Sequence, residues 1–378
     1  MNVREIQGNP APTLPVAQTA TATGLEGVVV AETRLSHVDG ERGELVIAGT
    51  RAEVLALDQG ANFETVAARL LALGSDAAQP DLHAALTEAR CAAFAVVGEL
   101  ERALQLPDAM DSLLACATQG SAGADAVGLL GALPVYVAAG ARRRAGLPLI
   151  APNSSLGHAE DFLAMLGLPH SAARVRALNA YWVTVSDHGL NASTFSARVV
   201  ASTGSDVVSC VAAGLGALKG PLHGGAPGPV LDMLDLTLDS DPRAWLEAEL
   251  AQGRRIMGIG HRIYRVRDPR ALVFERALSS LADTDGERAP VTARLAHARR
   301  VEQAAVRLLS ERHPDRPLHA NVEFYTALLL EALAIPRALF TATFAVGRCA
   351  GWLAHIAEQR RAGKLIRPAS RYIGALPD

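Results

Sequence analysis

The stretch FAVGRCAGWLAHIAEQ spans residues 344–359. Three of its side chains, Phe344, Arg348 and Trp352, recur every four residues, which in a helix places them within about 40° of one face. Apolar residues with three- and four-residue spacing recur through most of the chain after Val54, and this spacing predicts helices. Examples are Phe162, Leu163 and Leu166, and Leu328, Leu329, Ala332 and Leu333. We therefore predict an all-α protein.

The N-terminal region differs from the rest. Two short β-like runs, Val28–Ala31 and Glu44–Ala48, are joined through DGERG, which has turn chemistry. They predict a small N-terminal β-hairpin, and the Pro-containing residues 1–23 predict a flexible arm ahead of it. Farther along, segments with Gly, Pro or Asp predict breaks between helices. These segments are SDAAQPD, GLPLIAPNSS, KGPLHGGAPGP, LDSDPRA, DTDGERAP and ERHPDRPLH.

Composition excludes several classes of protein. The 378 residues carry a net charge of −3 without a basic stripe, so we expect no nucleic-acid partner. The apolar run Ala126–Ala141 is shorter than the roughly 18 to 20 residues of a bilayer span and predicts a buried helix, so we expect no membrane partner. The four cysteines form no CxxC pair, which argues against a metal site. No apolar segment follows a basic start, so we expect a cytoplasmic protein.

Two histidines lie in loops that precede helices. His188 stands in SDHGLNAST, where Asn191 is a natural helix N-cap. His223 stands in KGPLHGGAPGPVLDML, close to a helix that we expect to restart near Pro229. The positive end of that helix would keep the imidazole neutral, as a donor to a developing enolate oxygen requires. For each histidine, a role as an ordinary loop residue is the alternative.

Two arginines occupy unusual helix positions, and one glutamate occupies an ordinary one. Asp268 and Pro269 form an N-cap and first-turn pair, which puts the Arg270 cation in a first turn where it opposes the helix dipole. Arg348 lies in an apolar stripe, and a buried arginine needs an anion. Glu323 follows Asn321 in the first turn of another helix, where an acid is electrostatically ordinary.

Six motifs in this order resemble the citrate synthase family: SDHGLNAST, LKGPLHGGA, GIGHRIYRVRDPRA, NVEFY, FAVGRCAGWLAHIAEQ and KLIRPASRYIG. The resemblance implies an all-α, two-domain fold and a homodimer with shared active sites. It also implies an acyltransferase that condenses acetyl-CoA with oxaloacetate and hydrolyses the resulting thioester to citrate. Coenzyme A thioester would be a co-substrate, and no cofactor would be bound tightly.

The resemblance assigns roles to individual residues. His223, His261 and Glu323 would be catalytic: enol stabiliser, carbonyl polariser and base. Oxaloacetate would be held by His188, Arg270, Arg348 and, from the partner chain, Arg367. Coenzyme A contacts would fall at Gly258, Gly260, Arg265 and Asn321. The implied boundaries are an arm at 1–23, a large domain at 24–218, a small lid domain at 219–324 and a return to the large domain at 325–378.

Three positions depart from the family pattern. Glu323 replaces the family's aspartate, the segment Pro227–Pro229 follows the His223 loop, and Val185 stands where the family often has a second histidine. Two alternatives therefore stay open. One is a relative that uses propionyl-CoA or another acyl-CoA or 2-oxo acid, as a 2-methylcitrate synthase does. The other is a catalytically silent relative.

Overall fold

The structure is a computed structural model. It describes residues 23–25, 27–58, 60–77, 81–120, 125–224, 227–260, 263–284, 288–314, 318–375 and 377. These residues form sixteen α-helices and three short strands, which confirms the all-α prediction. The helices are α1 Ala52–Leu57, α2 Phe63–Ser75, α3 Leu82–Ala95, α4 Glu101–Leu104, α5 Ala109–Gln119, α6 Ala126–Arg144, α7 His158–Leu166, α8 Ala172–Val185, α9 Ala192–Ser202, α10 Val207–Lys219, α11 Pro227–Leu236, α12 Pro242–Ala251, α13 Pro269–Thr284, α14 Arg288–Arg312, α15 Val322–Ala332 and α16 Phe340–Ala362. Single 3₁₀ turns cover Thr23–Leu25, Val97–Leu100 and Arg337–Leu339.

The small sheet corrects the predicted hairpin. Its strands are β1 Ser36–Asp39, β2 Glu44–Ile47 and β3 Thr50–Arg51, paired antiparallel in that order. The DGERG turn joins β1 to β2, as predicted, but the first strand is β1 rather than Val28–Ala31. The reason is register: the turn pairs Asp39 with Glu44, so the residues directly before it form the partner strand.

The hairpin turn packs closely against the segment that precedes α13. A Cβ atom added to Gly40 would lie 2.4 Å from the Ile263 carbonyl oxygen, so only glycine fits there. The Arg265 amide donates a hydrogen bond of 2.9 Å to the Gly40 carbonyl. The hairpin therefore supports residues 263–268 from one side.

Two helices form the centre of the core. The buried part of α6 runs through residues 129–140, which confirms the buried helix predicted at Ala126–Ala141. Helix α16 is buried over most of its length and packs against α2, α8, α9 and α10. A central helix of this kind is buried on every side, so its polar residues must find partners or face a site.

The breaks between helices lie where the sequence predicts them, with α11 beginning at Pro227 rather than near Pro229. The chain divides into two compact units, Met1–Glu32 and Thr33–Asp378. In the first unit the Val28 amide donates to the Leu25 carbonyl over 3.1 Å. The predicted arm lies almost wholly outside the described residues, and the boundary between a large domain and a lid stays a prediction. No helix of the described part is long and apolar enough to cross a membrane.

Candidate active site

His188 lies in the loop that joins α8 to α9, and its side chain is buried. Its Nε2 is 3.0 Å from the Tyr264 hydroxyl, and the two rings meet edge to face at 5.7 Å. The neighbouring Asp187 carboxylate accepts a hydrogen bond of 2.5 Å from Ser36 and lies 3.2 Å from His355 Nε2 on α16. These contacts fix the loop on both sides of the histidine.

A buried ionic network continues from His355 along the α9–α16 interface. Arg198 of α9 bonds His355 Nδ1 at 2.9 Å and donates to Glu358 at 2.7 Å and Gln359 at 3.0 Å. All four side chains are at least nine-tenths buried. The network holds α9, which follows the SDH loop, in one register with α16, because buried charges tolerate only arrangements that satisfy them.

His223 lies in the loop after α10. Its Nε2 is 2.8 Å from the Ser193 hydroxyl, which also lies 2.7 Å from Asn191 Oδ1 and receives a hydrogen bond of 3.1 Å from the Trp352 indole. Burial and the nearby Arg348 cation lower the pKa of His223 to about 4. The imidazole is therefore neutral near pH 7. The sequence predicted a neutral ring from a helix dipole, whereas the structure attributes it to burial and Arg348.

Arg270 and Asp268 form a buried pair at the start of α13. The Arg270 side chain donates to both carboxylate oxygens of Asp268, with Nε 3.0 Å from one and Nη2 2.7 Å from the other. Asp268 also accepts from the Arg270 amide at 3.0 Å, as the predicted N-cap requires. The Asp268 carboxylate thus balances the Arg270 cation in the first turn. The Arg270 guanidinium lies 5.8 Å from the centre of the Tyr264 ring.

Arg348 is buried on α16, and no carboxylate of the described residues lies within salt-bridge distance of it. Its Nε donates 2.5 Å to the Val185 carbonyl, and its guanidinium carbon lies 4.7 Å from the centre of the Phe344 ring. Burial lowers the pKa of Arg348 to about 10, so the side chain remains charged at neutral pH. A buried cation held by one carbonyl and an aromatic face lacks the anion that such a charge requires.

Glu323 lies in the first turn of α15, which begins after the Asn321 cap. No hydrogen-bond or ion-pair partner holds its carboxylate among the described residues. Burial, with a contribution from Asp268, raises the pKa of Glu323 to about 7, although Arg270 and Arg348 act in the opposite direction. A carboxylate with a pKa near 7 is well suited to accept a proton at neutral pH.

The two predicted glycine contacts lie in one short loop opposite the start of α15. The Asn321 amide donates 2.9 Å to the Gly258 carbonyl, the Gly260 amide donates 2.7 Å to the His319 carbonyl, and Asn321 Nδ2 donates 2.8 Å to the Gly260 carbonyl. Gly258 has φ +75°, and an added Cβ would lie 2.9 Å from Val230. Only glycine suits this position. Three of the four predicted coenzyme A contacts, Gly258, Gly260 and Asn321, therefore lie next to one another.

Three predicted residues remain, of which two are exposed and one lies outside the described residues. The Arg265 side chain is exposed, with its Nε 4.0 Å from Glu41. Arg367 is exposed in a segment after α16 that forms neither helix nor strand. His261 lies outside the described residues. No group of three or more His, Cys, Asp or Glu side chains in the described part of the chain could hold a metal ion.

The structure brings together residues that are far apart in the sequence. Arg270, Glu323 and Arg348 affect one another electrostatically, and His223 is affected by Arg348. The sequence did not predict two tyrosines that interact with these residues, Tyr264 and Tyr181. Tyr264 lies within the motif GIGHRIYRVRDPRA, so the sequence did contain a signal for it. Tyr181 lies in α8, where nothing in the sequence distinguishes it from a core aromatic residue.

Comparison with known proteins identifies the family. A family model for the C-terminal domain of citrate synthase matches residues 24–369. The chain belongs to the citrate synthase family. Citrate synthase of Haloferax volcanii is 36% identical over 374 residues, covering 93% of this chain and 95% of that protein. A solved ternary complex of citrate synthase from Thermoplasma acidophilum with carboxymethyl coenzyme A and oxaloacetate superposes with a TM-score of 0.80. It is 26% identical and covers 95% of this chain and 97% of that one.

Two mycobacterial relatives match over shorter stretches. A putative citrate synthase 2 of Mycobacterium tuberculosis is 48% identical over 204 residues, which are 54% of this chain and 52% of that protein. In that match the chain spans about half the length of its relative. A 2-methylcitrate synthase of the same species is 41% identical over 254 residues, covering 66% of this chain and 62% of that protein. The relatives thus include proteins named citrate synthase and a protein named 2-methylcitrate synthase.

Proposed function

We propose that this protein condenses acetyl-CoA with oxaloacetate to form citrate and coenzyme A. The observation that carries the proposal is Arg348, a buried cation without an acidic partner, in the same cluster as the Glu323 carboxylate and the neutral His223 imidazole. This cluster offers an anion site, a base and a neutral hydrogen-bond donor. A condensation of an enolised thioester with an oxo acid needs these three groups.

The reaction follows from the proposed roles. Arg348 and Arg270, with His188, hold the oxaloacetate carboxylates by charge-assisted hydrogen bonds. Glu323 removes a proton from the thioester methyl group while His223 donates a hydrogen bond to the enol oxygen. The methyl carbon then forms a bond to the ketone carbon, whose oxygen His261 would polarise. Water finally hydrolyses the thioester, which releases coenzyme A.

The coenzyme A thioester is assigned to the loop at Gly258 and Gly260, with Asn321 and Arg265 beside it. A long, thin pantetheine arm needs backbone that it can approach closely, and glycine provides it. We further propose that Arg367 completes the oxaloacetate site of a partner chain in a homodimer. Support for this comes from its exposed position after α16, in a segment that forms neither helix nor strand.

A second candidate is the synthesis of 2-methylcitrate from propionyl-CoA, which the similarity to the Mycobacterium tuberculosis 2-methylcitrate synthase supports. The two substrates differ by one methylene, which an apolar pocket discriminates by only about 1 to 3 kcal/mol. Both reactions use the same polar cluster. The choice of acyl group therefore has to be measured.

The test is thiol release from acetyl-CoA and from propionyl-CoA, each with and without oxaloacetate. We expect release that depends on oxaloacetate and is lost in Glu323→Gln. A higher kcat/KM for propionyl-CoA would favour the second candidate. No release from either thioester, despite measurable binding of oxaloacetate, would identify a catalytically silent relative.

A further inference from the structure

Tyr181 has a buried hydroxyl group without a partner. The residue lies in α8 and is fully buried, and its Oη makes no hydrogen bond to the described part of the chain. Almost all buried polar groups in proteins are hydrogen-bonded, because an unpaired one loses its hydration without compensation. An unpaired hydroxyl at the centre of a site therefore points to a partner that arrives with the ligand.

The surroundings of this hydroxyl indicate the chemistry of that partner. Tyr181 lies one turn before Val185 on α8, and the Val185 carbonyl accepts a hydrogen bond from Arg348. The charges of Arg348, Arg270 and Glu323 also act on the phenol. Arg348 also lacks an acidic partner in the described structure. A carboxylate bound between the two guanidinium groups would supply the acceptor for a neighbouring phenol as well.

Ring packing holds the Tyr181 phenol in position, and burial keeps its hydroxyl protonated. Its ring packs against Phe274, with 5.3 Å between the ring centres. Burial raises the pKa of Tyr181 well above its usual value, so the hydroxyl keeps its proton at any working pH. The Thr326 hydroxyl, one turn beyond Glu323 on α15, lies close enough to oppose part of this rise in pKa. It forms no hydrogen bond with the phenol in the described structure. The donor is therefore available and rigidly held.

We propose that the Tyr181 hydroxyl donates a hydrogen bond to a carboxylate of the bound oxo acid, beside Arg348. This rests on the proposed function, because it assumes that a 2-oxo dicarboxylate occupies the cluster. Tyr181 is then a residue that binds the substrate carboxylate, as the two arginines are proposed to do. It recognises the position of the carboxylate, whereas the guanidinium groups mainly neutralise its charge.

The test compares wild type with Tyr181→Phe, which removes one oxygen and keeps the ring. We expect the dissociation constant for oxaloacetate, measured by calorimetry, to rise about 10- to 100-fold, as for a lost hydrogen bond to a charged group. The KM for acetyl-CoA should stay unchanged. Without ligand the variant should unfold at the same or a higher temperature, because an unpaired buried hydroxyl has been removed.

Tyr136→Phe is the matched control. Tyr136 is also buried, and its hydroxyl also lacks a partner, but it lies in α6 against Gly120 and near Cys116. We expect this variant to bind oxaloacetate as wild type does. An unchanged dissociation constant in Tyr181→Phe would overturn the proposal. So would unchanged affinity with a shifted pH profile of kcat, which would place the hydroxyl on Glu323. If wild type itself fails to bind oxaloacetate, the proposed function fails instead.

Discussion

Two buried arginines of the cluster differ in how the protein satisfies them. Arg270 is held by both oxygens of Asp268, whereas Arg348 has a carbonyl and an aromatic ring but no acid within salt-bridge distance in the described structure. A paired buried cation is a structural element, and removing it leaves a buried carboxylate behind. An unpaired buried cation is maintained for a ligand. The two arginines therefore differ as targets for mutation.

We expect Arg348→Leu to raise the KM for oxaloacetate by about 100-fold or more, since two charge-assisted hydrogen bonds are lost. The KM for acetyl-CoA should change little. Arg270→Leu should raise the same KM and also destabilise the fold by about 3 to 5 kcal/mol, because Asp268 loses its guanidinium. Steady-state kinetics and urea unfolding measure both effects. Equal stability losses in the two variants would contradict the distinction.

Glu323 has an electrostatic environment that predicts a pH dependence. Its pKa is raised to about 7, so the carboxylate form that can accept a proton predominates above pH 7 and decreases below it. We expect the exchange of acetyl-CoA methyl hydrogens with solvent to fall about tenfold per pH unit below pH 7. Glu323→Gln should abolish this exchange while oxaloacetate still binds. Near-normal exchange in the glutamine variant would exclude Glu323 as the base.

Glu323→Asp tests whether the site has adapted to the longer acid. The family base is an aspartate, so a poorly fitting glutamate would be improved by shortening. We expect the opposite, a slower reaction, because the loop after His223 also departs from the family pattern and a displacement of about 1 Å costs on the order of 100-fold. Single-turnover kinetics with saturating substrates give the rate. A faster aspartate variant would show that no adaptation has occurred.

At the scale of elements, the start of α15 connects the proposed base, Glu323, to the predicted coenzyme A loop. Asn321 accepts from the Glu323 amide at 3.0 Å through its side-chain oxygen and donates to the Gly260 carbonyl through its amide nitrogen. The backbone bridge between Ile259 and Ala320 adds to this connection. One side chain therefore caps the helix and also positions the loop.

Substitution at Asn321 can separate these two tasks. Asn321→Ser keeps a capping oxygen but has no donor that reaches Gly260, whereas Asn321→Ala loses both. We expect the alanine variant to lose about 1 kcal/mol of stability and the serine variant much less. Both should raise the KM for acetyl-CoA several-fold. A serine variant with the wild-type KM would mean that Asn321 acts only as a cap.

At the scale of the whole molecule, the segment after α16 contributes nothing to the cluster of its own chain that the structure describes. Residues 364–373 form neither helix nor strand, and Arg367 is exposed. An exposed arginine with a role in a buried site needs a second chain. The proposed homodimer supplies that chain, with each active site taking one arginine from its neighbour.

Complementation tests the shared site. Chains carrying Arg367→Ala and chains carrying His223→Ala should each be inactive as homodimers. After mixing and subunit exchange we expect activity to return, because a hybrid dimer contains one site with both residues intact. Mass spectrometry of the intact dimers provides the check that exchange has taken place. Hybrids without activity would reject a shared active site.

The sequence by itself determined the helical class, the buried helix α6, the breaks between helices and the caps at Asn191, Asp268 and Asn321. These depend on periodicity and local backbone chemistry, which a short window of sequence contains. The six motifs also led to the family. The predicted first strand of the hairpin, Val28–Ala31, was wrong. That prediction followed apolar content, whereas the register set by the turn pairs the residues directly before the turn with β2.

Only the tertiary structure decided the electrostatics. The neutral state of His223 and the raised pKa of Glu323 depend on burial and on charges from other helices. The role proposed for Tyr181 also depends on the tertiary structure, since only packing shows that its hydroxyl lacks a partner. Burial and long-range contacts couple residues that the chain separates by more than a hundred positions, so no local pattern records them.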